Sequence, residues 1–292
     1  MTRLTFLGTG GGRFAAILQA RATGGLYIEV GEHSASHHDG DAPGQGPAAE
    51  DGLVRRFHID PGPGALVRML ASGFSPLKTD AILVSHCHPD HYGDAEILIE
   101  GMTDGGNRKQ GALLGSRSVI EGIPGHGPAI SKYHAAKPAI VKAMAPGDSL
   151  DLFGTRVEAT ACAHSDPSAV GFRLHTDHGV VGYVCDTALD ARLFEANTGC
   201  RVLVLPVTRP LGAPIPFHLT VEDAAELAAR IRPELVLMNH FGMRVIRDGP
   251  EKAARWIEDR TGVRTVAGQD GMELELGKEL NPSMPRRLAT SS

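Results

Sequence analysis

The sequence predicts an α/β protein in which two mixed β-sheets pack face to face with helices on their outer sides, an αββα sandwich. Short apolar runs of strand length alternate with helical patterns along the chain, and this alternation is typical of an α/β fold. Polar residues that could carry chemistry follow several apolar runs, as in open sheets whose ligands bind beyond the carboxyl ends of the strands. The 292 residues, of which 42% are hydrophobic and 22% charged, are enough for one domain of this class.

Ten apolar runs predict strands, because each is short and rich in β-branched, aromatic or other apolar residues. The runs 170–175 and 180–185 flank Asp177-His178-Gly179, a turn sequence that predicts a β-hairpin. The predicted strands are 3–7, 25–30, 54–59, 81–84, 155–161, 170–175, 180–185, 202–206, 235–239 and 272–276.

Four segments predict helices, namely 64–72, 94–100, 221–231 and 250–260. The pattern is clearest in 221–231, where Thr220 and Asp223 match a capping box. One face of this helix is apolar and consists of Val221, Ala224, Ala225 and Ala228. Pro250 and Gly262 stand at the two ends of the last helix, where these residue types are favoured.

The domain prediction is one catalytic domain over 1–278 and a flexible tail over 279–292. Two internal segments carry little structural signal. The segment 32–51 contains His33, His37 and His38; we expect a solvated surface loop there, with metal binding by a His-rich tract as the alternative. The segment 101–147 is rich in Gly and Pro, and we expect a lid or substrate loop, with a plain connection as the alternative.

The strongest chemical signal lies in residues 83–93, directly after the strand 81–84. It contains His86, His88, Asp90 and His91, and imidazole and carboxylate are ligands that zinc and similar divalent ions prefer. On extended backbone His86 and His88 can point to the same side. Asp90 and His91 are adjacent and therefore better placed to serve a second ion. The sequence predicts a two-metal site whose remaining ligands come from elsewhere in the chain.

This pattern resembles the signature of the metallo-β-lactamase superfamily, and the resemblance covers residues 1–276, including the segment Leu4–Gly11 and the turn 59–62. The ligands that the resemblance implies are His86, His88 and His164 for the first metal, Asp90, His91 and His240 for the second, and Asp186 as a bridge between the metals. The three later ligands each follow an apolar run, as a site at the edge of a sheet requires.

Details of the motifs narrow the resemblance. A Glu in place of His88 would indicate the di-iron branch of the superfamily, so His88 favours the hydrolytic branch, which usually binds zinc. Asp186 argues against antibiotic hydrolysis, because the true β-lactamases typically lack that bridging carboxylate. The segments 6–10, 217–220 and 237–241 are similar to ribonuclease Z and its phosphodiesterase relatives, where the His matching His218 contacts the scissile phosphate or assists the leaving group.

Two departures from ribonuclease Z argue against transfer-RNA processing. That family usually inserts a tRNA-clamping arm between the third His and the bridging Asp, and here 21 residues separate His164 from Asp186. Pro89 also precedes Asp90, where ribonuclease Z commonly has Gly. The resemblance therefore favours a phosphodiesterase whose substrate is a small molecule or a nucleotide.

The predicted function is hydrolysis by a dinuclear metal centre, with zinc favoured and manganese or iron tolerated. Two ions can share a bridging hydroxide, because the pKa of water falls from ~15.7 toward ~7 on a metal. Asp90 would orient this nucleophile, and His218 would protonate the leaving oxygen unless it merely fills a loop. The alternatives are a ribonuclease Z-type tRNA 3′ endonuclease, a lactone or thioester hydrolase and, least favoured, a metal-binding protein without activity.

Charge and hydropathy limit the partners. The formal net charge of −5 and the pI near 6.3 give no global basic surface, so a nucleic-acid partner is less favoured than a small substrate. No apolar run approaches the ~18 residues of a membrane span, and the N-terminus reads as a strand, so we expect a cytoplasmic protein without a membrane partner. A homodimer is expected from the resemblance.

Overall fold

The structure is a computed structural model that describes residues 1–31 and 54–283. In chain order its strands are β1 (Thr2–Phe6), β2 (Leu26–Gly31), β3 (Val54–Ile59), β4 (Ala81–Val84), β5 (Ala112–Ser116), β6 (Ile140–Met144), β7 (Ser149–Leu152), β8 (Thr155–Ala161), β9 (Val170–Thr176), β10 (Gly179–Tyr183), β11 (Cys200–Pro206), β12 (Leu235–Asn239), β13 (Thr265–Ala267), β14 (Glu273–Leu276) and β15 (Leu280–Ser283). Its helices are α1 (Gly12–Leu18), α2 (Ala65–Ala71), α3 (Pro89–Tyr92), α4 (Ala95–Met102), α5 (Arg117–Ile120), α6 (Lys132–Ala135), α7 (Ala191–Asn197), α8 (Val221–Ile231), α9 (Met243–Asp248) and α10 (Pro250–Thr261).

The strands form two mixed sheets. The first has the order β15-β14-β1-β2-β3-β4-β5-β6, and the second has the order β13-β12-β11-β10-β9-β8-β7. Strands β3 to β6 are parallel and the rest of the first sheet is antiparallel. In the second sheet β10 to β13 are parallel and β7 to β10 antiparallel. The predicted fold class, an α/β protein with two mixed sheets, is confirmed.

Apolar side chains from both sheets meet in one central core. Phe6 and Phe57 of the first sheet and Phe172 and Leu237 of the second are buried in it. A further apolar cluster lies between each sheet and its helices. The helices are α2 and α4 on the first sheet and α8 and α10 on the second. Burial of each large apolar side chain contributes about 1.5–3 kcal/mol. Each of these helices has one apolar face and buries that face against a sheet.

The clearest predicted helix, 221–231, coincides with α8, and Thr220 and Asp223 form both hydrogen bonds of the capping box. The other three predicted helices match α2, α4 and α10 to within two residues. The remaining helices have seven residues or fewer, which is too short to show a clear helical period. None of the helices in the described residues is long and apolar enough to cross a membrane.

All ten predicted strands are present, and β9 and β10 form the predicted hairpin with Thr176 opposite Gly179. Five strands were not predicted, namely β5, β6, β7, β13 and β15. Four of these five are the outermost strands of the two sheets. An outermost strand is paired on one side only and is often half exposed, so its apolar pattern is weak.

Two predicted irregular segments contain regular structure. The segment 101–147, expected to be a lid or substrate loop, supplies β5 and β6 to the first sheet; a substrate contact from the turns between them stays a prediction. The expected tail from residue 279 begins with β15, because Leu280–Ser283 pair with β14. The whole His-rich segment 32–51 and the chain after residue 283 lie outside the described residues.

Strand direction brings the ends of six strands to one edge of the sandwich. Strands β3 and β4 are parallel, as are β10, β11 and β12. Strands β8 and β10 run in the same direction, because both are antiparallel to the strand between them. The loops that follow five of these strands carry the predicted site residues, and Asp60 follows the sixth, β3. The fold thus gathers predicted site residues that are up to 154 positions apart in the chain (His86 to His240).

Candidate metal centre

The first group of potential ligands consists of His86, His88 and His164, which follow β4 and β8. His86 Nε2 and His164 Nε2 lie 3.0 Å and 3.1 Å from Nδ1 of His88. Ligand atoms about 2.0–2.2 Å from one ion stand roughly 3.0–3.5 Å apart, so these distances suit a shared ion. Burial lowers the pKa of His164 to about 4 and that of His86 well below its usual value, which favours the neutral imidazole that coordinates metals.

The second group consists of Asp90, His91 and His240. The Nε2 atoms of His91 and His240 are 3.1 Å apart, and Asp90 Oδ2 lies 3.4 Å from His240 Nε2 and 3.7 Å from His91 Nε2. Burial alone would lower the pKa of His240, yet the carboxylates of Asp186 and Asp90 raise it to about 9. The surroundings of this group therefore favour a positive charge, which a divalent cation would supply.

Asp186 lies between the two groups. It forms a third potential ligand group with His86 and His91, and its Oδ2 is 3.7 Å from His91 Nε2. Its Oδ1 is buried and makes no hydrogen bond with any described residue, although His240 Nδ1 is 3.0 Å away. A buried carboxylate oxygen without a donor is costly unless a cation occupies the free position. The residues present thus fit a metal-binding site in which Asp186 lies between the first and the second ligand group.

In three of the proposed His ligands, the nitrogen turned toward the ligand groups is set by a partner on the other side of the ring. Nδ1–H of His91 donates to Asp60 Oδ2 at 2.8 Å, and Nδ1–H of His164 donates to the carbonyl oxygen of Phe217 at 3.2 Å. Nδ1 of His240 is 3.0 Å from the hydroxyl of Thr208. Such partners hold the ring and fix the tautomer of a metal-binding His.

Asp60 is a further residue of the site, and its sequence pattern indicated only the turn at residues 59–62. Its carboxylate also accepts hydrogen bonds from the backbone and hydroxyl of Ser85, both at 2.7 Å, and from the hydroxyl of Tyr183 at 2.8 Å. It therefore connects the loop after β3 with β10 and with His91. Its position at the end of β3, like that of the proposed ligands at the ends of their strands, is the signal that could have identified it.

Asp166 supports the first motif from a distance and was not predicted. It accepts a hydrogen bond from the backbone of Cys87 at 3.1 Å, from the hydroxyl of Ser118 and from the backbone of Ser168 at 2.9 Å. Cys87 stands between His86 and His88, so Asp166 fixes the backbone that presents both rings. Its position two residues after His164 is the feature of the sequence that could have indicated this supporting role.

Glycine is required where α1 begins, because the backbone there approaches the second ligand group. A Cβ atom at Gly11 would stand 2.1 Å from Cγ of the His240 ring, which no side chain allows. The backbone N–H of Gly12 donates to Asp90 Oδ2 at 2.8 Å. The glycine run thus lets the chain pass close to His240 and hold Asp90.

His218 stands beside the ligand groups but belongs to none that the described residues form. Its Nε2 is 3.4 Å from Asp186 Oδ2, and its Nδ1–H donates to the carbonyl oxygen of Pro216 at 2.9 Å. Burial lowers the pKa of His218, but the carboxylate of Asp186 and the carbonyl of Pro216 together raise it by more. The pKa of His218 therefore lies above its usual value. The structure thus gathers all eight predicted site residues at one edge.

Comparison with known proteins identifies the family. The model of the β-lactamase superfamily domain matches residues 55–241. The chain belongs to the β-lactamase superfamily. The resemblance noted in the sequence is therefore confirmed, and the protein is a hydrolase of this superfamily.

Relatives extend this result over most of the chain. The uncharacterized protein MJ1374 of Methanocaldococcus jannaschii is 39% identical over 275 residues, which are 94% of either chain. Ribonuclease Z of Mycolicibacterium paratuberculosis is 28% identical over 250 residues, 77% of this chain and 86% of that protein. The solved structure of the metallo-β-lactamase fold protein YhfI from Bacillus subtilis matches with a TM-score of 0.70 at 17% identity, covering 93% of this chain and 98% of YhfI. The similarity to YhfI shows the shared superfamily fold.

Proposed function

We propose that this protein is a dinuclear metal-dependent phosphodiesterase that acts on small or nucleotide phosphodiesters. The observation that carries the proposal is the position of His218, whose Nε2 lies 3.4 Å from the carboxylate of Asp186. Asp186 forms a potential ligand group with one His from each of the other two groups, His86 and His91, whereas His218 is in none of the groups found in the described residues. An imidazole beside the metals but not bound to them can protonate a leaving oxygen.

Each part of the site has a role in this proposal. The two ligand groups would hold two divalent ions, with zinc favoured and manganese or iron as alternatives. The ions would supply Lewis acidity, which neutralises charge on a phosphoryl oxygen and makes water more acidic. Asp186 holds the two groups together, and Asp60 fixes the ring of His91. Asp90 orients the attacking water, and His218 gives its proton to the leaving oxygen.

A phosphodiester is favoured over a lactone or thioester. Cleavage of an alkyl phosphodiester expels a strongly basic alkoxide, which needs a proton as it leaves, and His218 is placed to provide one. A relative at 28% identity is named as a ribonuclease, and ribonucleases cleave phosphodiesters. A thioester has a better leaving group and gains less from such an acid.

Cleavage of precursor tRNA is the second candidate, favoured by the identity with ribonuclease Z. Residues 165–185, between His164 and Asp186, consist of a short loop followed by β9 and β10, so they contain no inserted arm that could hold tRNA. The formal net charge of −5 also offers no global basic surface for a large polyanion. We therefore place small phosphodiesters first.

Purified protein assayed with bis-p-nitrophenyl phosphate, a lactone, a thioester, a cephalosporin and precursor tRNA tests the proposal. We expect the phosphodiester to be hydrolysed fastest, the activity to be lost with chelator and to return with zinc or manganese. A His175→Ala variant serves as control, because His175 pairs with Glu158 on β8 and is not among the proposed ligands. Turnover of the lactone or thioester alone, or a tight and steeply salt-dependent complex with precursor tRNA, would contradict the ranking.

A further inference from the structure

The loop before α8 holds an aromatic residue in an unfavourable backbone conformation. Phe217 has φ of 66°, in the left-handed region that bulky residues rarely adopt. Ile215 and His218 pair across the turn, and Pro216 precedes Phe217. Pro at the second position and a positive φ at the third are the marks of a type II turn, whose third position is normally Gly or Asn.

The same chain contains the ordinary form of this turn. Ile123 pairs with His126 across Pro124 and Gly125, and Gly125 has φ of 83°. The two tetrapeptides, Ile-Pro-Gly-His and Ile-Pro-Phe-His, differ in the third residue alone. Gly would therefore suit position 217 with less strain, and the Phe side chain has to be explained by what it contacts.

Packing within the protein does not explain the side chain. Phe217 is 42% exposed. Its ring meets the ring of His164 in a T-shaped contact, with the centroids 6.1 Å apart. Its backbone carbonyl oxygen, which any residue would supply, holds Nδ1–H of His164. Backbone strain without burial at a functional site indicates a role in function.

We propose that Phe217 is a specificity-determining residue on which a nucleobase next to the scissile phosphate stacks. The ring contacts that of His164, a proposed metal ligand, and Phe217 directly precedes His218, the proposed general acid, so the exposed ring borders the site at which a phosphodiester would bind. Leu211 and Ile215 of the same loop are also exposed and extend the apolar surface. A planar base can use the face of an aromatic ring, and stacking of this kind depends little on which base is present. The inference rests on the proposed phosphodiesterase function and narrows its substrate class to nucleotides.

The test compares Phe217→Gly, Phe217→Leu and Phe217→Tyr with the unchanged protein. Phe217→Gly reproduces the turn at residues 123–126, so its fold is expected to be retained. A matched control is Phe153→Gly, because Phe153 is also an exposed Phe with positive φ. Phe153 precedes β8, whereas His164 follows that strand, so the control lies at the opposite edge of the sandwich.

Binding of adenosine 5′-monophosphate and of ribose 5-phosphate to the metal-loaded protein is measured by calorimetry. We expect the nucleotide to bind about tenfold more tightly than the sugar phosphate, which lies within the range typical of base stacking on one aromatic residue. The preference is expected to persist in Phe217→Tyr and Phe153→Gly and to disappear in Phe217→Gly and Phe217→Leu. Equal binding of both ligands by the unchanged protein, or a preference that survives in Phe217→Leu, would overturn the inference.

Hydrolysis of a dinucleoside phosphate and of its analogue lacking one base separates this inference from the proposed function. The leaving oxygen is the same in both substrates, so a difference in kcat/KM reports the base. Hydrolysis of both at equal rates overturns the role of Phe217 but supports the phosphodiesterase function. Hydrolysis of neither, together with an aromatic-dependent preference for the nucleotide in calorimetry, refutes the phosphodiesterase function and supports stacking at Phe217.

Discussion

Replacement of His218 by Ala tests the proposed chemistry most directly. The imidazole is 3.4 Å from Asp186 Oδ2 and is anchored through Nδ1 to Pro216, so its Nε2 is the atom placed to deliver a proton. Loss of a general acid typically lowers the rate by ~10²–10⁴, which corresponds to about 2.7–5.5 kcal/mol in the activation free energy. We expect a decrease in this range in kcat for a dinucleoside phosphate, whose leaving group is an alkoxide.

The leaving group and the metal content distinguish this role from a structural one. With bis-p-nitrophenyl phosphate the defect of His218→Ala is expected to be much smaller, because p-nitrophenolate leaves without protonation. Metal content, measured by elemental analysis, is expected to be unchanged, since His218 is in none of the ligand groups formed by the described residues. His218→Gln, which can form hydrogen bonds but cannot donate a proton readily, should be as slow as His218→Ala. Equal defects with both leaving groups, or loss of metal in the variant, would refute the assignment of His218 as the general acid.

Three further predictions concern the metals and the stability of the fold. The metal-replete protein should contain about two divalent ions per chain by elemental analysis, and His164→Ala and His240→Ala should each lose about one of them. A metal content below one ion per chain in the unchanged protein would exclude the dinuclear site. Asp60→Asn should weaken binding of the second ion by ~10–100-fold in chelator competition. Tyr183→Phe leaves the hydrogen bond between His91 and Asp60 intact and should weaken metal binding less. Equal effects of the two substitutions would show that Asp60 acts on stability alone. Burial lowers the pKa of His58 from 6.5 to about 4, so between these pH values the unfolded chain binds a proton that the folded chain excludes. Denaturant titrations in the presence of chelator should therefore show the free energy of unfolding falling by roughly 3 kcal/mol as the pH drops from about 6.5 to about 4. His58→Gln, whose amide can still donate to Gly24, should show a smaller loss over this range, and an identical pH profile would contradict the role of His58.

Local sequence patterns determined most of the secondary structure and the centre of the site. The capping box at Thr220 and the hairpin at residues 177–179 are formed within a few residues, so their sequences carry the information. The spacing of His86, His88, Asp90 and His91 predicted two ligand sets, and three overlapping groups of potential ligands lie there. Patterns of this kind depend on neighbours in the chain, which a single sequence displays directly.

Contacts between distant segments were decided by the tertiary structure. The outermost strands β6, β7, β13 and β15 were not predicted, because an outermost strand is defined by the neighbour with which it pairs and has little apolar pattern of its own. Asp60 could not be assigned from the sequence as the partner of His91, because the two residues are 31 positions apart and are brought together by the pairing of β3 with β4. The strain at Phe217 likewise became visible only with the backbone angle. The sequence by itself determined which residue types could bind metal, whereas the convergence of strand ends at one edge decided which of them meet, because strand direction is set by pairing in the sheet.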